Sequence, residues 1–193
     1  CDLLYTFSLR GAFSLSGSTL QGSPFVIDSE GGDLELVNSR LTGMSYERPC
    51  VFEKGRLSLL SAEVIGGAGW ILNGTDVNML GANLTWQSGE WRISNSEVSL
   101  VHLSGQYGDG MRLVNATGTI TSSTWTNGSS GLSLDRCEGM RLQDLALLGN
   151  GMDLGIFGST ASHFTHGVEN VSLTYGPLMI LEGLAGVTIE DFG

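Results

Sequence analysis

Two adjacent stretches, LSLLSAEVIGGAGWILNGTD (57–76) and VNMLGANLTWQSGEWRISNSE (77–97), share a pattern of apolar and polar positions without sharing letters. Each opens on an alternating apolar pair, Leu57/Leu59 and Val77/Met79. Each places an apolar residue seven positions after its first, Val64 and Leu84, and each closes on a second apolar pair near Ile71 and Ile93. The pattern recurs along the chain. Phe13/Leu15 lead to Leu20 and Phe25/Ile27, and Leu34/Leu36 lead to Leu41 and, after a longer loop, Val51. Val98/Leu100 lead to Met111/Leu113. Gly118 and Ile120 lead to Trp125 and Leu132/Leu134, and Met140/Leu142 lead to Leu147 and Leu154/Ile156. After Ile156 the register loosens, though alternating runs persist at Val171/Leu173, Met179/Leu181 and Val187/Ile189.

Alternation over a few residues predicts half-buried strands, and turns such as NGTD, SGE, GDG and NGSSG separate them. Strands this short, repeating every 20–23 residues, predict an all-β parallel β-solenoid. One unit is one coil, and each strand pairs in parallel with its equivalent one coil away. Eight or nine coils at about 4.8 Å each would give a column of roughly 40 Å. Only the inward positions need be apolar and only the corners need unusual backbone angles, so the letters are free to vary. A β-sandwich or jelly roll would not repeat an apolar residue at a constant seventh step. The asparagine-anchored pattern of leucine-rich repeats is missing. RLQDLALL (141–148), the one segment rich in helix formers, falls inside a unit and reads as strand. The expected organisation is one domain over 1–193: an N-terminal strand or arm at 1–12, regular coils over 13–160 and less regular terminal coils over 161–193.

Nothing in the sequence resembles a capping helix or charged run at either end. Uncapped coils expose unpaired backbone groups, so the expectation is a column that continues into a second molecule as a cross-β fibre. The rival expectation is a fragment whose caps lie elsewhere.

Composition changes this picture in three ways. The net charge of −11, with Lys54 the sole lysine among 9 basic residues, argues against a nucleic-acid partner, which requires a basic face. No apolar run approaches the roughly 20 residues of a transmembrane segment. A start at Cys1 without methionine reads as a mature, exported protein from which a signal peptide has been removed, or as a trimmed chain. Five of the nine asparagines, Asn73, Asn83, Asn115, Asn127 and Asn170, begin N-glycosylation sequons. The competing explanation is that Asn-Gly turns and abundant threonine produce the match.

The three cysteines, Cys1, Cys50 and Cys137, form an odd set without metal-ligand spacing. Cys50 and Cys137 sit four units apart, about 20 Å along the column, beyond disulfide reach. The expectation is at least one intermolecular disulfide. The alternative is that they are buried free thiols.

Enzyme chemistry finds little support. Asp-Asp, Gly-His-Gly and Arg-x-Lys signatures of β-helix polysaccharide hydrolases are absent. Asp28, Asp76, Asp109, Asp135 and Asp153 are scattered and read mostly as turn formers. His163 and His166 lack an acidic companion and are assigned to a loop or strand. Trp70, Trp86, Trp91 and Trp125 read as core or corner residues rather than a sugar-stacking surface. No phosphate loop, metal site or cofactor is expected.

Cys1, the strand units from Phe13 to Ile156, the lone Lys54 and the sequon series together give the chain a character that resembles secreted archaeal surface proteins. In particular it resembles the sheath subunits that encase filamentous methanogens. The resemblance implies a β-solenoid stacked into amyloid-like hoops or tubes, with no catalytic residue. The expected function is therefore an extracellular, non-enzymatic, self-assembling structural protein at the cell surface, with itself as partner and cell-envelope polysaccharide as a second one. The competing expectation is a monomeric β-helix that binds or degrades polysaccharide.

Overall fold

The computed structural model describes residues 5–85 and 87–174. The expected runs at Met179/Leu181 and Val187/Ile189, together with Cys1 and Trp86, lie outside the described residues.

The chain is an all-β parallel β-solenoid of about seven turns with about 21 residues per turn. Each coil has three faces. Face 1 stacks Phe13–Ser16, Leu34–Val37, Arg56–Leu60, Asp76–Leu80, Glu97–Val101, Thr117–Thr121, and the first halves of Arg141–Leu148 and Gly167–Leu173. Face 2 stacks the start of Thr19–Glu30 on Arg40–Met44, Glu63–Ile65, Asn83–Thr85, Ser104–Gln106, Thr124–Thr126 and the second halves of the last two face 1 strands. Face 3 stacks Tyr5–Leu9, the end of Thr19–Glu30, Cys50–Glu53, Trp70–Asn73, Trp91–Ser94, Met111–Val114, Ser130–Asp135 and Met152–Phe157. RLQDLALL is the strand Arg141–Leu148. The register Leu15, Leu36, Leu59, Met79, Leu100, Ile120, Leu142, Val168 takes seven steps. The eight or nine coils expected from the sequence drew their surplus from residues 175–193.

The seventh-step residues form one inward column: Leu20, Leu41, Val64, Leu84, Gly105, Trp125, Leu147, Leu173. Its middle members are at most 4 % exposed. Gly105 interrupts the apolar run for a steric reason. A Cβ there would lie 2.5 Å from Cδ1 of Trp125, so the indole of the next coil fills the space that a Gly105 side chain would occupy. Face 3 differs from expectation by one residue at two coils. Its inward pairs are Cys50/Phe52 and Trp70/Leu72, while Val51 is half-buried and Ile71 is 39 % exposed. A slip of one residue reverses the face on which a strand residue lies. A continuous apolar run such as WIL carries no alternation to fix that choice. Trp70 and Trp91 stack at 4.9 Å and 13°, and Phe52 stacks on Trp70 at 5.5 Å. Such pairs contribute about 0.5–1.5 kcal/mol beyond their buried area.

Corners make the stacking possible. Between faces 1 and 2 one residue per coil adopts positive φ: Gly17, Asn38, Ser61, Gly81, His102, Ser122, Asp144 and Asn170. The N–H groups of the first six bond the next coil, as in Asn38 N to Leu60 O at 2.8 Å and Ser61 N to Leu80 O at 2.7 Å. A left-handed conformation costs a non-glycine residue roughly 1–2 kcal/mol. A retained backbone hydrogen bond contributes about 1 kcal/mol, and leaving the donor buried without a partner would cost more. The ladder therefore wins, and it continues unbroken around the bend. Lys54, Asn95, Asn115 and Arg136 hold the equivalent position between faces 3 and 1, and Tyr107 and Asn127 between faces 2 and 3.

Two substitutions test this packing. Gly118 has φ +127 and its added Cβ would collide with the carbonyl oxygen of Val98, so Gly118→Ala is expected to lose about 3 kcal/mol or more. Gly105→Ala is expected to lose about 2 kcal/mol alone and markedly less in a Trp125→Leu background, where the indole is gone. Urea unfolding of the single and double variants measures both.

Candidate functional site

The first coil is where the column's logic meets solvent. Tyr5, Phe7, Leu9, Phe13, Leu15 and Leu20 occupy inward positions, in register with Phe25, Ile27, Ser29, Leu34, Leu36 and Leu41. The second-coil residues are at most 5 % exposed. Their first-coil counterparts keep apolar identity but not burial: Tyr5 is 53 %, Phe7 45 % and Phe13 41 % exposed. Phe7 packs edge-on against Phe25 at 5.4 Å, which orients the ring without covering it. The strands Tyr5–Leu9, Phe13–Ser16 and the start of Thr19–Glu30 each pair with the second coil alone among the described residues.

The sequon asparagines divide by position. Asn73, Asn115, Asn127 and Asn170 are exposed, and Asn83 is half-buried on face 2. Asn115, Asn127 and Asn170 have φ of 49°, 57° and 52°. Asparagine adopts this conformation more readily than most residues, which gives them a structural reason beside any modification. Asn73 ends a face 3 strand and Asn115 lies two coils away, one register position further on at the corner, so the two are near neighbours and not in one file. Asn95 joins them: its Nδ2 donates to Asn73 Oδ1 at 2.8 Å, and Asn115 Nδ2 donates to Asn95 Oδ1 at 2.8 Å. Thr75, the third residue of the Asn73 sequon, is fully buried with its hydroxyl turned to backbone carbonyls.

Cys50 and Cys137 are buried free thiols, 2 % and 0 % exposed. Neither forms a disulfide among the described residues, and Cys1 lies outside them. Cys137 follows the corner residue of its coil, where earlier coils carry Thr75, Ser96 and Ala116. Its thiol donates to Leu113 O at 3.4 Å, much as Ser96 Oγ donates to Ser94 O at 2.7 Å. Cys50 Sγ accepts from Ile27 N at 3.3 Å. Desolvation pushes the Cys50 thiol up to about 12, against one opposing hydrogen bond from Ile27, and burial raises Cys137 as well.

The scattered aspartates do not converge. Asp109 alone sits in a turn. Asp28 and Asp153 lie in strands, and Asp76 and Asp135 at strand ends. The turn-former reading is thus corrected for four of the five. His163 belongs to a short 3₁₀ turn, Ala161–Phe164, not to a loop or strand. It has an acidic neighbour, Glu138, at 3.8 Å. Trp70, Trp91 and Trp125 are buried core residues. No cluster of three or more His, Cys, Asp or Glu able to share a metal ion occurs among the described residues, and none of their helices could cross a membrane.

Two open grooves run along the outer faces. The face 1 groove, about 600 Å³, is lined by Asp33, Glu35, Arg56, Asp76 and Glu97. The face 3 groove, about 660 Å³, joins Val51 and Ile71 to Arg92, Arg136, His163, Glu53 and the Asn73–Asn95–Asn115 ladder. Beside it Asp135 receives Arg112 at 2.7 Å and Arg136 at 3.2 Å. Partial burial alone would raise this carboxyl, but the hydrogen bonds and charges of the two arginines outweigh it and hold the group below the usual carboxylate range.

The thiols yield a pH prediction. Cys50 titrates at an ordinary value when unfolded and at about 12 when folded. The unfolded chain releases its proton first, so the contribution to stability is full below the ordinary thiol range and is lost as pH rises toward 12. Cys50→Ala should flatten the alkaline fall in stability followed by denaturant unfolding. Native protein at pH 8 should leave Cys50 and Cys137 unreacted with a thiol reagent until denaturant is added. Comparison with protein-family models, curated proteins and solved structures finds no match to this chain.

Proposed function

We propose that this is an extracellular structural protein that assembles with copies of itself, end to end, by cross-β stacking into fibres, hoops or a sheath. The observation that carries the reading is the first coil. Its inward positions are as apolar as those beneath it, its strands pair on one edge alone among the described residues, and its spacing matches that of a coil laid upon it. Covering Tyr5, Phe7 and Phe13 alone would contribute about 1 kcal/mol or more per side chain, before any new backbone ladder forms. Parallel strand addition to an open edge is an established mode of association. Export is supported by the four exposed sequon asparagines. The acidic surface keeps the sides of neighbouring columns apart, so the apolar end is where contact is favoured.

A charge placed among the exposed inward residues of the first coil should block growth while removing only the edge contact of Phe7 with Phe25. Phe7→Glu with Phe13→Glu is expected to abolish long assemblies seen by negative-stain electron microscopy and to leave a monomer by light scattering, with unfolding little changed. A wild-type chain that stays monomeric at millimolar concentration, or a double variant that assembles equally well, would overturn the proposal.

A further inference from the structure

The outer surface of face 3 departs from the rest of this acidic column. Arg92 and Arg112 occupy the same outward position on adjacent coils, a backbone separation of about 4.8 Å. Like charges directly opposite each other on paired strands repel. Arg136 adds a third guanidinium from the corner one coil beyond Arg112. Three of the chain's nine basic residues thus gather on one patch of a protein of net charge −11. Asp135 satisfies Arg112 and Arg136. Arg92 is exposed and makes no hydrogen bond or ion pair among the described residues. Nε of Arg112 is buried without a partner.

We infer that this groove binds an acidic saccharide, with Arg92, the lining arginine that has no partner among the described residues, receiving a sugar carboxylate. Its guanidinium supplies the planar donor fork that suits a carboxylate, and Arg112 beside it, held by Asp135, adds positive charge at the rim. Ile71, 39 % exposed and directly in register with Arg92, offers an apolar platform for the C–H face of a pyranose. Along the same groove the Asn73–Asn95–Asn115 amides, one per coil and joined in a chain, present donors and acceptors to hydroxyls at the coil spacing, close to the rise per residue of an extended glycan. Glu53 lies at the opposite end of the groove, two coils from Arg92, so the cationic and acidic ends define one direction for the ligand. A polyphosphate fits less well. Its dense charge would meet Glu53 in the groove and the acidic surface beyond it, whereas a polymer with one carboxylate per sugar reaches Arg92 at lower repulsion.

The inference does not depend on self-assembly, and it is tested on the Phe7→Glu/Phe13→Glu variant so that the two proposals fail separately. A short oligohexuronate is titrated calorimetrically beside its neutral methyl ester. The acid form should bind, the ester at least tenfold more weakly, and added salt should weaken the acid form alone. Arg92→Gln should reduce affinity for the acid form at least tenfold with unchanged urea unfolding, while Arg56→Gln in the face 1 groove should leave it unaltered. No binding of the acid form, equal binding of acid and ester, or full affinity in Arg92→Gln would overturn the assignment.

Discussion

The whole molecule depends on one constraint: each coil must return its backbone to the position directly beneath the previous coil, so that every strand hydrogen-bonds its own equivalent. Cα partners are kept over seven steps although the intervals between them vary, for example 23 residues from Leu34 to Leu57 and 20 from Leu57 to Val77. The corners absorb the difference. Where the bend is tight, between faces 1 and 2, a single left-handed residue turns the chain in every coil. Where length varies, between faces 2 and 3, loops of different length take it up, SYERP (45–49) in the longer coil and GGAG (66–69) in the shorter, without disturbing the ladders on either side.

That constraint decides what the interior will accept. Stacked positions are neighbours about 4.8 Å apart, so a side chain is chosen against the residue above and below it rather than against a distant partner. Trp125 requires Gly105, and Trp70 and Trp91 stack face to face. Cys137 extends a column of small corner residues that also holds Thr75 and Ser96, where a weak donor aimed at a carbonyl is all the site demands. The two thiols are therefore packing residues whose buried sulfur is held neutral.

The same geometry separates two kinds of surface. The end of a column presents inward residues and open strand edges, chemistry that only another coil can satisfy. The sides present one outward residue per coil in straight files, so any chemical group repeated along a file acts as a ruler. On face 1 the file is acidic with Arg56 inserted. On face 3 it brings two arginines together and runs beside an asparagine chain. The first surface is the basis of the proposed self-assembly and the second of the proposed saccharide site.

Strand existence, parallel stacking and the seventh-step column were legible in the sequence because alternation and a constant period report burial directly: Leu20, Leu41, Val64, Leu84, Trp125 and Leu147 all lie in one file. Sequence alone misplaced Val51 and Ile71, since a run of consecutive apolar residues contains no phase. It also left open the state of Cys50 and Cys137, because burial of a thiol is a property of the packed column. The meeting of Arg92 with Arg112, of Asp135 with Arg112, and of Asn73 with Asn95 and Asn115 had no local signal at all. Residues about 20 apart become neighbours only when the coil closes, so pattern determined which positions face inward, and the register of the closed coils decided which outward side chains meet.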